Sequence, residues 1–167
     1  MSAIRTDEKC DEAQTMSDNW ILIVPKQPEH IPSQDEAKAA LELLEKSMPD
    51  AEEFEIVQSE HIQFFDCGAN LETITCPRCS ADIDFDWWGE AMSSDFDETS
   101  GCQLNEYPMP CCSASASLDE LSYEFHQAFG RFALSAMNPN LAKMPDETVS
   151  EIEAALGCGV SVVYQHI

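Results

Sequence analysis

The order strand, proline, loop, proline, capped helix, strand runs twice through this chain, and that repetition limits the fold more than any other feature. In the first copy, residues 20–24 (WILIV) are a continuous apolar run closed by Pro25, the pattern of a strand buried on both faces. A loop with Pro28 and Pro32 leads to Ser33, which stands three residues before Glu36 as in a capping box. Ala37, Ala40, Leu41, Leu44 and Met48 then share one face of a helix that Pro49 stops. Residues 54–65 read as a second strand, bulged or broken near His61. In the second copy, residues 131–138 form a strand, Pro145 precedes a helix starting at Asp146, and Val149, Ile152 and Leu156 are its inward stripe. Gly157 or Gly159 ends it before a last strand over 160–167.

Two βαβ units in series predict an α+β fold, a ferredoxin-like split βαβ pseudo-repeat built from residues 18–66 and 130–167. Its first and third strands lie centrally in an antiparallel sheet. Both helices cover one face, and the other is left for a partner, a second subunit or the intervening segment. His61 and His166 hold equivalent places in the two copies and could lie near each other, although a shared strand pattern explains them without chemistry. Residues 1–17 show neither hydrophobic period and read as a disordered tail, leaving Cys10 little structural role.

Between the copies, residues 67–129 are too long for a hairpin connection and read as an insert. It holds twelve acidic residues against the single base Arg78, so a covalent or metal staple is expected. Cys76-Pro77-Arg78-Cys79 followed by Pro110-Cys111-Cys112 resembles a zinc ribbon, in which two cysteine-bearing turns clamp one tetrahedral ion. A Cys-x-x-Cys turn aims backbone N–H groups at its sulfurs and so favours the thiolates that bind Zn2+. Ser80 and Ser113 stand where a glycine usually eases such a turn. Adjacent cysteines in the second turn leave Cys67, Cys102 or a histidine as alternatives to Cys112 for the fourth ligand. A closed set of four thiolates is structural, with no open position for catalysis.

A redox reading would make Cys76 a nucleophile at a helix start. Here Ile83, Phe85 and Trp87 alternate with Asp82, Asp84 and Asp86, which predicts a half-buried strand and no activating helix. The Asp triplet is not a calcium loop, because Trp87 and Ser93 occupy the positions that need glycine and glutamate. Asp82, Asp84, Asp86, Glu90, Asp95 and Asp97 around Trp87 and Trp88 instead suggest an acidic surface for a partner: charge speeds encounter and rings anchor it. Residues 117–129 begin with a second box, Ser117 and Glu120. With Leu118, Leu121, Phe125 and Phe129 on one stripe, they predict a helix with His126 at its boundary.

Thirty-two acidic residues against eight basic ones give a formal charge of −24, which repels nucleic acid and fits either a partner with a basic surface or plain solubility, a choice that charge alone does not make. No apolar run approaches membrane-span length and no export signal is visible, so a cytoplasmic protein with reduced thiols is expected. Phosphate-cradling loops, a Gly-x-Ser-x-Gly elbow and a His-Glu-x-x-His helix are lacking in the sequence.

With WILIVP, EHIQFFDCG, CPRC, DWWGE, PCC, RFALSAMNPN and ALGCGVSVVYQHI, residues 18–167 resemble a family of small uncharacterised bacterial proteins, sometimes labelled sugar-transporter ATPases. The resemblance implies a bacterial cytoplasmic setting and a metal knuckle at Cys76, Cys79, Cys111 and Cys112. The label itself has no support in the residues, since a transporter ATPase needs a phosphate loop ending in Gly-Lys-Ser or Gly-Lys-Thr. The leading expectation is a non-enzymatic, zinc-stapled protein that binds a basic partner, one form being an immunity protein that plugs a toxin's cationic cleft. The alternatives are an enzyme with a carboxylate and a histidine (His61, His126 or His166) in a pocket between sheet and insert, or a zinc sensor.

Overall fold

The computed structural model describes residues 18–167; the expected tail, 1–17 with Cys10, lies outside the described residues. The fold is α+β. Strand β1 (Asn19–Pro25) leads to helix α1 (Gln34–Ser47) and the long strand β2 (Glu53–Phe65). After the insert come β9 (Ala128–Met137), helix α3 (Asp146–Leu156) and β10 (Val160–His166). These strands lie in the order β10-β1-β9-β2, each antiparallel to its neighbour.

Local chemistry explains why the helices start and stop where they do. Ser33 accepts the Glu36 N–H at 3.2 Å while Glu36 accepts the Ser33 N–H at 2.9 Å, closing the expected capping box. Gly157 ends α3 in the left-handed conformation, its N–H bonded to the Glu153 carbonyl. Both helices pack on one sheet face: Ala40 and Leu44 of α1 and Ile152 and Leu156 of α3 meet Ile21, Ile23, Phe132 and Leu134 in one fully buried cluster. The other face, with Leu22, Val24, Ala133 and Val163, is also buried, packed with Cys67 and Leu71 from the start of the insert. It is therefore not a free face.

The pairing of β2 with β9 shifts register between Gln58 and Gln63, the bulge expected near His61. Beyond it, β2 carries Ile62 and Phe64 into the core of the insert. The insert also extends the sheet: β5 (Gly101–Cys102) pairs parallel to β2 at Ile62, and β4 (Phe96–Asp97) pairs with β5, giving a mixed six-stranded sheet. Gly101 has φ +76, and a Cβ there would meet the Ile62 carbonyl oxygen at 2.6 Å, so glycine permits this close approach. His61 in β2 and His166 in β10 lie on strands separated by β1 and β9, so their equivalent places reflect the shared strand pattern and not a joint site.

Two segments of the insert differ from expectation. Residues 85–95 are helix α2 (Phe85–Asp95) instead of a strand. Asp84 caps it by accepting the Asp86 N–H at 3.1 Å, and the inward side falls on Trp87, Trp88, Ala91, Met92 and Asp95, a helical period. The alternation over residues 82–87 is shorter than this period and loses to it. Residues 117–129, expected as a helix, make only a 3-10 turn (Leu118–Glu120). The Ser117–Glu120 box forms, but Ser122 and Tyr123 (β8) then pair with Ile74 and Thr75 (β3). Phe125, with φ +63, breaks any continuation of the turn, and Ala128 already belongs to β9. Pairing between distant segments overrides local helical pattern here. No helix among the described residues is long and apolar enough to cross a membrane.

Candidate metal centre

Both cysteine-bearing segments are hairpin tips. In the first, Ile83 N–H bonds the Ile74 carbonyl and Cys76 N–H bonds the Ala81 carbonyl, each at 2.8 Å. The chain turns through Ser80, which takes φ +66 without being glycine, and Ser80 N–H bonds the Cys76 carbonyl at 3.0 Å. In the second, β6 (Tyr107–Pro108) pairs with β7 (Ser115–Ala116), and Met109 N–H bonds the Ala114 carbonyl at 2.9 Å.

The tips bring the Cys76, Cys79, Cys111 and Cys112 sulfurs within 4.8 Å of one another. Cys76 Sγ is 3.9 Å from Cys112 Sγ, and Cys79 Sγ is 3.3 Å from Cys111 Sγ. A tetrahedral ion with metal–sulfur bonds of about 2.3 Å separates its ligands by about 3.8 Å. A disulfide would need about 2.05 Å, and all four cysteines are free. Four thiols, no carboxylate and no histidine form a donor set for a soft or borderline cation, so the site can hold one metal ion. Cys112 therefore completes the set. Cys67 is buried elsewhere, its N–H and thiol both directed at Gln127 Oε1, and Cys102 is buried in β5. Among the described residues no other group of three or more His, Cys, Asp or Glu side chains converges in this way.

The electrostatics suit a cation. Burial opposes ionisation of Cys76, yet the Cys79 and Arg78 N–H groups and the neighbouring thiols lower it to about 7. The Arg78 N–H lies 3.4 Å from Cys76 Sγ. The hydrogen bond with Cys79, followed by burial, pushes Cys111 up to about 12. Cys112 is also raised, the Ala114 N–H opposing and burial with the Cys76 and Cys79 sulfurs prevailing. The Cys76 proton leaves readily while those of Cys111 and Cys112 are held, as expected for crowded sulfurs until a cation offsets their repulsion. Arg78 also straps the two tips: its Nε donates to the Ser115 carbonyl at 3.4 Å and its Nη2 to Glu120 Oε1 at 2.9 Å.

A signal in the sequence explains the adjacent cysteines. Residues 76–81 read CPRCSA and residues 109–114 read MPCCSA. Cys76 and Met109 hold the same place, each closing its turn by an N–H bond to the alanine five residues on. The second knuckle is thus a copy of the first in which buried Met109 replaces the leading cysteine and Cys111 takes the place of Arg78. This internal repeat was legible in the sequence; comparing only cysteine spacings misses it.

The expected acidic surface is partly realised. Asp82, Asp84, Asp86 and Glu90 are exposed around the first turns of α2, and Phe85 between them is 46% exposed. Asp95 is not a surface residue. It is buried, and accepts the Leu104 N–H at 2.8 Å, the Asn105 N–H at 2.9 Å and the Tyr107 hydroxyl at 3.0 Å. Asp97 is exposed but engaged in a turn, its carboxyl lowered by hydrogen bonds from the Thr99 side chain and backbone. Trp88 faces inward, donating to the Tyr123 hydroxyl at 3.1 Å and packing edge-on to Phe64; Trp87 is half-buried against the same core. The burial of an aspartate in an acidic segment had no signature in the sequence.

A cavity of about 790 Å³ lies at the β1–β10 side, where His126 and Lys143 meet Trp20 and Tyr164, and no carboxylate among the described residues lines it. His61 and His166 do not line it either. No protein-family model, no curated protein and no solved structure matches this chain.

Proposed function

We propose that this chain is a cytoplasmic interaction protein whose insert, stapled by a structural Zn2+, presents the acidic start of α2 to a basic protein surface. One observation carries the reading: Phe85, a large apolar ring, is 46% exposed amid Asp82, Asp84, Asp86 and Glu90. None of these acids is ion-paired among the described residues, where the ion pairs are Arg78–Glu120 and Arg131–Glu29. An exposed ring among unpaired carboxylates suits an anchor that basic side chains surround. A toxin's cationic substrate cleft is one such partner, the carboxylates standing where phosphates would bind.

The architecture in this proposal is a ferredoxin-like split βαβ pseudo-repeat carrying a zinc-ribbon-like insert. The strand order β10-β1-β9-β2 with both helices on one face supports the first part. The knuckles CPRCSA and MPCCSA, facing each other at hairpin tips, support the second. Zinc is favoured over iron or copper because four cysteines on two such turns give a closed, redox-inert tetrahedral site.

The test is capture of partners from the source cells by the wild-type protein and by the variant Asp82→Asn, Asp84→Asn, Asp86→Asn, Glu90→Gln. Loss of capture at unchanged metal content is expected; equal recovery by both removes this face from the reading. A zinc-sensing role is a second reading, favoured by the exposure of Cys79 and Cys111. A sensor releases its ion reversibly with the fold intact, whereas a staple comes off only with unfolding.

A further inference from the structure

β10 ends the sheet, and the fate of its outward backbone groups can be followed bond by bond. Asp18 and Ile167 exchange both N–H···O bonds, and Lys26 N–H bonds the Gly159 carbonyl, so in the alternation of an antiparallel pair Ser161, Val163 and Gln165 bond β1. Val160, Val162, Tyr164 and His166 therefore point their backbone groups away from the sheet. Both ends of that row are occupied. His166 N–H bonds the Cys67 carbonyl at 3.2 Å and its carbonyl accepts the Ala69 N–H at 2.8 Å. Asn70 Nδ2 donates to the Tyr164 carbonyl at 2.9 Å, and Glu153 Oε2 accepts the Val160 N–H at 2.9 Å. The middle is open: the Val160 carbonyl, both groups of Val162 and the Tyr164 N–H have no protein partner among the described residues.

This window is the floor of a groove of about 320 Å³ between Asp146 and Val149 of α3 on one wall and His126 on the other. The groove shares His126, Lys143 and Tyr164 with the cavity of about 790 Å³, where Trp20, Phe125 and Leu141 offer an apolar hollow. The charge here runs against that of the molecule. Arg78 and Arg131 are ion-paired, but Lys26 and Lys143, both lining the groove, have no ion-pair partner among the described residues; Asp146 lines it too, and the Glu153 carboxylate at its Val160 end is engaged by the Val160 N–H.

We propose that the open edge of β10 is a docking site for an extended acidic peptide segment, which adds to the sheet as a further strand. Its backbone would pair with Val160, Val162 and Tyr164, a large apolar side chain would enter the hollow beside Trp20, and carboxylates would meet Lys26 and Lys143. A second copy of this chain is the less suitable occupant. Its own edge is equally recessed between walls, and it brings a further −24 of charge. The site is separate from the metal centre and from the acidic face of α2, and its test is independent of theirs.

The full-length protein is titrated into a fluorescein-labelled heptapeptide, Glu-Val-Glu-Phe-Glu-Val-Glu, with anisotropy as readout. Binding below about 100 μM is expected, with slowed hydrogen exchange at the Val162 and Tyr164 amides. Val162→Pro removes an outward N–H without costing a bond to β1, a position where an edge strand tolerates proline. It should weaken binding about tenfold or more. Lys26→Glu with Lys143→Glu should weaken it by about tenfold, with the fold untouched, and the peptide with lysine in place of glutamate should not bind. Absence of binding at about 1 mM overturns the proposal, as does binding indifferent to both variants. If the Val162 and Tyr164 amides instead become protected in peptide-free protein as its concentration rises, the edge belongs to a second copy and the proposal fails.

Discussion

The sheet unit and the insert are held together by different means. In the sheet unit the elements are long, from the seven residues of β1 and β10 to the fourteen of α1, and their contacts are apolar faces repeating along whole helices and strands. In the insert every strand has two residues, and the fixed points are single groups: four sulfurs and the carboxylate of Asp95. The sheet unit spreads its stability over many side chains. The insert concentrates it in a few, so it should fail sharply when one of them is removed.

The largest expected effect is metal removal. Structural zinc contributes on the order of 10 kcal/mol of apparent folding free energy in small metal-dependent modules. Chelation, or Cys76→Ser, should abolish the near-ultraviolet dichroism of Trp87 and Trp88 while the helical signal of α1 and α3 persists. Ile62 and Phe129 belong to the sheet strands yet pack in the insert's core, so loss of both signals together would break the distinction between the regions. Phe132→Ala, at the buried centre of the sheet unit, should cost about 3–5 kcal/mol in denaturant unfolding and leave metal content unchanged.

Asp95→Ala sharpens the comparison from the other side. It strands the Leu104 and Asn105 N–H groups and the Tyr107 hydroxyl, at a cost of about 3 kcal/mol expected in the insert alone. A smaller effect comes from alkaline pH. Burial, with Asp95 nearby, pushes the Cys102 thiol up to about 11. The unfolded thiol ionises near about 8.5, so this contribution is complete below that pH and is lost as pH rises towards 11. Urea titrations across that window should show stability falling, and Cys102→Ala should flatten the slope. Arg78→Ala is expected to cost least, about 0–1 kcal/mol, because the ion pair with Glu120 is exposed.

The same contrast explains how much of the fold is legible in the sequence. Ser33 and Glu36 announced α1, and the apolar stripe from Ala37 to Met48 was long enough to leave no rival period. Ser117 and Glu120 formed the same box and produced only a single turn, because Ser122 and Tyr123 found strand partners about fifty residues upstream in the chain. The aspartates before and within α2 alternated over too few residues to distinguish strand from helix, and the capping role of Asp84 decided it. The four sulfurs were legible as a set. The bend that lets adjacent Cys111 and Cys112 serve one site was written in the match of MPCCSA to CPRCSA. Asp95 was not legible, since its burial depends on where residues 104–107 return in space.

X-ray absorption at the zinc edge of the reduced, full-length protein tests the account at its centre. One equivalent of zinc with four sulfur neighbours at about 2.3 Å is the predicted result. A sample without stoichiometric metal, or one whose ion has an oxygen or nitrogen neighbour in place of a sulfur, would contradict it.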